Sequence, residues 1–68
     1  MTQVEKVVKY MNDFGSISTM EAFTELGITR LASRIHDITR MGIEISKENV
    51  SGKNRYGETI HYTRYRLA

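Results

Sequence analysis

Residues 18–42 read Ser18-Thr19-Met20-Glu21-Ala22-Phe23-Thr24-Glu25-Leu26-Gly27-Ile28-Thr29-Arg30-Leu31-Ala32-Ser33-Arg34-Ile35-His36-Asp37-Ile38-Thr39-Arg40-Met41-Gly42, and they spell two helices with a tight turn between them. Ser18 with Glu21 three residues on forms a capping box, in which each side chain satisfies a backbone N–H that a first helical turn leaves free. Met20, Phe23 and Leu26 then recur at helical spacing as a buried face, and Gly27 supplies a left-handed stop. Thr29 is placed to cap the following helix, which carries Ile28, Leu31, Ile35, Ile38 and Met41 on one side and ends at Gly42.

Towards the amino terminus, Val4, Val7, Val8, Met11 and Phe14 step by threes and fours, which predicts a helix over residues 3–14 that stops at Gly15. Ser16-Ile17-Ser18 is a short extended piece. Beyond Gly42 the period changes to two. Ile43 and Ile45 alternate with Glu44 and Ser46, and Tyr65 and Leu67 alternate with Arg64 and Arg66. An antiparallel pairing sets Ile43 opposite Leu67, Ile45 opposite Tyr65, Glu44 opposite Arg66 and Val50 opposite Ile60, with apolar pairs on one face and opposite charges on the other. The turn falls within residues 52–57. The expectation is one α+β domain over residues 1–68: three helices, a short strand and a carboxy-terminal β-hairpin over residues 43–67.

Sixty-eight residues without cysteine or proline exclude disulfides and thiolate metal sites, so the core rests on packed aliphatic and aromatic side chains. No apolar run approaches the ~20 residues that span a bilayer, and no signal-peptide stretch opens the chain, so the expected location is the cytoplasm and no membrane partner is expected. The net charge is only +2, but it is unevenly spread. Residues 1–27 hold two lysines against four carboxylates; residues 28–68 hold eight cations, six of them arginine, against four carboxylates. Arginine forks onto phosphate and guanine, so this asymmetry favours a polyanionic partner.

Residues 19–41 form a helix-turn-helix, whose second helix suits the major groove of double-stranded DNA. On a helical wheel Leu31, Ile35 and Ile38 point inward, while Thr29, Arg30, Ser33, His36, Asp37 and Arg40 point outward with Arg34 on the flank. Arginine contacts guanine O6 and N7 in a bidentate manner, and Thr29 and Ser33 suit phosphate or base edges. Asp37 repels phosphate unless it orients an arginine or accepts from a cytosine amine; Arg34 with Asp37, or Asp37 with Arg40, also makes a helical ion pair. At the hairpin tip Lys53, Asn54, Arg55 and Tyr56, with His61 and Arg64 behind them, suit a phosphate backbone or a minor groove. Tyr56 either bonds phosphate or folds back over the hairpin.

Other constellations carry less. Ser33, His36 and Asp37 are the residue types of a hydrolase triad, but they lie on one exposed helical turn without a pocket or oxyanion donors, so no enzyme is expected. His36 and His61 lack companions at metal-ligand spacing, and no metal or cofactor is expected. Tyr10, Tyr62 and Tyr65 read as packing residues.

Together Phe14-Gly15-Ser16-Ile17-Ser18, Glu21-Ala22-Phe23, Leu26 through Leu31, Arg34-Ile35-His36-Asp37, Met41-Gly42, Asn54-Arg55-Tyr56-Gly57 and Tyr65-Arg66-Leu67 resemble the small winged helix-turn-helix domains common in bacteriophages and prophages. The resemblance implies a three-helix winged fold and a DNA-binding, transcription-regulating role, with Arg30, Ser33, Arg34, Asp37 and residues 54–56 as functional surface. One such domain covers a short site, so a homodimer or cooperative neighbours are expected, through helix 1 or the hairpin. The rival reading is a module that docks on a host or phage protein, to which the acidic, partly apolar helix 1 is suited.

Overall fold

The computed structural model describes residues 1–68. Its elements are α1 (Gln3–Phe14), β1 (Ile17–Ser18), α2 (Thr19–Leu26), α3 (Leu31–Arg40), β2 (Ile45–Lys53) and β3 (Thr59–Leu67). The three strands form one antiparallel sheet in the order β1-β3-β2. Three helices packed on a three-stranded antiparallel sheet make a winged helix-turn-helix of the α+β class.

Local chemistry sets the helix ends. Both α1 and α2 begin with capping boxes: Thr2 with Glu5, and Ser18 with Glu21, whose Oε1 accepts from Ser18 N–H at 2.9 Å while Glu21 N–H donates to Ser18 Oγ at 3.3 Å. Gly27 ends α2 at φ 70°, ψ 23°, a left-handed geometry open to glycine without steric cost. Thr29 does not cap α3. The helix opens one residue later than expected, at Leu31, so the cap position is Arg30, whose side chain accepts no hydrogen bond from the first turn.

The core is Val7, Met11, Ile17, Ala22, Ile28, Leu31, Ile35 and Ile38, with Val4, Val8, Tyr10, Leu26, Ile43, Ile45, Tyr65 and Leu67 packed around it. Four residues expected inside are outside: Phe14, Met20, Phe23 and Met41, of which Met20 is 69% and Phe23 55% exposed. With α2 only eight residues long, Ala22 is its one fully buried position, and the wider face that the spacing suggested opens onto solvent.

The hairpin register also differs from the expected one. Ile45 pairs with Leu67, Ser46 with Arg66, Lys47 with Tyr65 and Val50 with Tyr62, a shift of two residues. Glu44 lies before β2, and Arg66 reaches Glu48 Oε2 at 3.1 Å instead. The turn decides this. Asn54 N–H donates to Glu58 C=O at 3.0 Å and Gly57 N–H to Asn54 C=O at 3.1 Å, which closes a short loop with Gly57 at φ 78°. Only the residues at the open end of the hairpin pack on the helices, so the wing extends outward and the domain measures 39 × 22 × 20 Å.

Candidate nucleic-acid interface

The site is built on two elements. On α3, burial of Leu31, Ile35 and Ile38 turns the opposite side outward: Arg30, His36 and Arg40 are exposed, with Ser33, Arg34 and Asp37 half-buried beside them. Thr29 is exposed in the turn that precedes the helix. The uncapped first turn of α3 leaves backbone N–H groups directed at whatever lies beyond its amino end, an arrangement that favours an anionic oxygen.

Arg34 is already engaged. Its Nη1 donates to Gln3 Oε1 at 3.3 Å and its Nε lies 3.4 Å from Asp37 Oδ2, so it holds α1 against α3 while flanking the exposed face. Asp37 thereby has an arginine partner, as one of the two helical pairings anticipated. Arg30 and Arg40 have no carboxylate partner.

At the wing tip Asn54 is the organising residue. Its Oδ1 accepts from Tyr56 N–H at 2.9 Å and Glu58 N–H at 3.0 Å, and its Nδ2 donates to Glu58 Oε1 at 3.0 Å. The side chain shapes the loop and has little left for a ligand. Tyr56 does not fold back; it is 83% exposed. Lys53 Nζ donates to Thr59 Oγ1 at 2.8 Å, and Arg55 stands free at the tip.

Strand alternation with the observed register divides the hairpin into two faces. One carries Lys47, Asn49, Ser51, Lys53, Thr59, His61 and Thr63, with no carboxylate. The other carries Glu48, Val50, Ile60, Tyr62 and Arg64. Lys47 was missing from the expected surface. The polar residues at every second position from Lys47 to Lys53 were the available signal.

Arg64 does not stand behind the tip as a wing cation. Its Nη2 lies 2.6 Å from Glu21 Oε1 and its Nε donates to Ser16 Oγ at 2.9 Å, which ties β3 to the start of α2. Burial pushes the Glu21 carboxyl up, but hydrogen bonds from Arg64 and from the Ser18 backbone outweigh it and hold it below its ordinary value. The Glu21 hydrogen bond in turn raises Arg64.

Ser33, His36 and Asp37 follow one another along α3, and none of them lines the groove between α1 and α2 or the groove between α2 and the wing. No helix is long and apolar enough to cross a membrane. A family model described as a winged helix-turn-helix domain matches residues 2–68. No curated protein and no solved structure matches the chain.

Proposed function

This chain belongs to the winged helix-turn-helix domain family, a kind of domain that points to DNA as its partner, and from that premise we propose that it binds double-stranded DNA as a regulator, with α3 in the major groove and the wing on the neighbouring backbone or minor groove. A phage or prophage setting is the one suggested by the sequence resemblance, and cytoplasmic residence follows from the same reading.

The observation that supports the proposal most is how the cations divide. Of the eight after residue 27, Arg34, Arg64 and Arg66 are bound to carboxylates, while Arg30, Arg40, Lys47, Lys53 and Arg55 are not. The unpaired five fall on the outward side of α3 and on the wing. In this reading Arg30 and Arg40, with Thr29 and Ser33, meet bases and phosphates, and Arg34 and Asp37 hold the edge of that surface. Lys53, Arg55 and Tyr56, shaped by Asn54, lie on the backbone.

Fluorescence anisotropy with a random-sequence duplex, titrated across salt concentrations, tests the proposal. Binding that weakens steeply as salt rises is expected, because each neutralised phosphate releases counterions. Absence of binding at low salt overturns it.

A further inference from the structure

The two faces of the wing use their polar groups differently. On one of them Arg64 is held by Glu21 and Ser16, and Arg66 by Glu48. Ile60, Tyr62 and Arg64 also line a groove of about 690 Å³ with Met20, Phe23 and Thr29. That face turns towards α2 and the residue that precedes α3, and its guanidinium groups are already matched.

The opposite face begins where the core ends. Lys47 stands beside Tyr65 at its base, and the cross-strand rows Asn49–Thr63, Ser51–His61 and Lys53–Thr59 follow towards the tip. Thr63 is half-buried and the others beyond Tyr65 are exposed. No carboxylate lies among them. Lys53 Nζ donates to Thr59 Oγ1, whereas the side chains of Lys47, Asn49, Ser51, His61 and Thr63 bond to nothing else in the chain. Two ammonium groups with amide, hydroxyl and imidazole donors between them suit an anion rich in acceptors.

Resting on the DNA-binding reading above, we propose that the wing lies broadside on one strand of the duplex. The sugar–phosphate backbone runs along this face from Arg55 at the tip to Lys47 at the base. Charge favours it, because Lys47 and Lys53 have no carboxylate partner. The face is also continuous with the tip, whose Arg55 already belongs to the proposed interface. Spacing agrees. Side chains on one face of a strand repeat about every 6.8 Å, twice the rise of about 3.4 Å, close to the interval between successive phosphates along a DNA strand. Lys47 and Lys53, about 20 Å apart on that rise, then meet phosphates at the two ends, and Asn49, Ser51 and His61 donate to oxygens between them. A grip by the tip alone uses Lys53 and Arg55 and leaves Lys47 in solvent.

Anisotropy titrations of a random-sequence duplex at several salt concentrations test this. Lys47→Ala should reduce the salt slope by about 1, although the residue lies far from the tip. Ser51→Glu sets a carboxylate on the face and should raise the dissociation constant roughly tenfold or more, by repelling phosphate. Ile60→Glu adds the same charge one row away on the opposite face. Screening over a Debye length of about 8 Å should hold its effect at physiological salt to about threefold or less. Circular dichroism checks each fold, and Asn49→Asp serves if Ser51→Glu does not fold. An unchanged slope for Lys47→Ala means that the tip binds alone, and it overturns the proposal while DNA binding stands. Losses for Ile60→Glu as large as those for Ser51→Glu overturn it too, since net charge and not position would then govern. A native chain that binds no duplex removes the DNA reading itself, and this proposal with it.

Discussion

Arg64 Nη2 sits 2.6 Å from Glu21 Oε1, and that same oxygen accepts the backbone N–H of Ser18 at 2.9 Å. One carboxylate oxygen thus closes the start of α2 and fastens it to the middle of the sheet. Ser16 Oγ, which accepts from Arg64 Nε, completes the node.

Arg64→Ala should therefore destabilise the domain although the residue reads as a surface cation. The loss should be about 1–2 kcal/mol, above a fully exposed ion pair and near the lower end for hydrogen bonds to charged groups. The urea midpoint checks it. Arg55→Ala, at the free tip, should leave the midpoint unchanged.

Glu21 gives the domain an acid-sensitive element. Its folded pKa lies below the ordinary value of 4.5, so protons bind the unfolded chain first as pH falls. The stability from this group is complete above the unfolded pKa and is lost as pH drops through the folded one. Glu5, lowered by its hydrogen bond from the Thr2 backbone, acts in the same direction. Urea midpoints measured from about pH 6 to about pH 3 should decline, and Glu21→Gln should flatten part of that decline.

On DNA, α3 and the wing should behave differently. Arg30→Ala should narrow the gap between a selected site and a random duplex, by about 1–3 kcal/mol if the contact is bidentate to guanine. Lys53→Ala and Arg55→Ala should weaken both duplexes equally and each reduce the salt slope by about 1. Anisotropy titrations on the two duplexes separate these results. Equal losses on both for all three variants would show that α3 reads no bases.

Asn54→Ala removes the acceptor of two backbone N–H groups at the wing tip. The amides of Tyr56 and Glu58 should exchange faster with solvent while those of α3 keep their protection, which hydrogen exchange by NMR resolves. Asn54→Asp retains the acceptor but turns the Glu58 contact into one between two carboxylates, so it should restore slow exchange at both only in part.

The readable parts of the sequence were those carried by local chemistry. Ser18 and Glu21, three apart, fix the start of α2, Gly27 ends it, and the spacing of Leu31, Ile35 and Ile38 places α3. The hairpin register was less legible because strand faces repeat every two residues. A shift of two keeps Ile45, Tyr65 and Leu67 inward, and only the hydrogen bonds around Asn54 distinguish the alternatives. Helical spacing likewise could not show that Met20 and Phe23 border a groove, since it tells which residues share a face and not whether anything covers it. On the candidate interface, Arg30, Arg40 and Arg55 stand where spacing put them. Arg64 was misread because its partner, Glu21, lies 43 residues away in sequence.

The wing meets the core only through Ile43, Ile45, Tyr65 and Leu67, and everything from Asn49 to Thr63 lies beyond that attachment and beyond the Arg64–Glu21 tie. Its length is therefore a free variable for evolution. Adding two residues to each strand would carry the tip about 7 Å outward, at a rise of about 3.4 Å per residue, and return every side chain to its original face. Related chains could lengthen or shorten this arm in such steps, altering the footprint without renegotiating the packing that folds the domain.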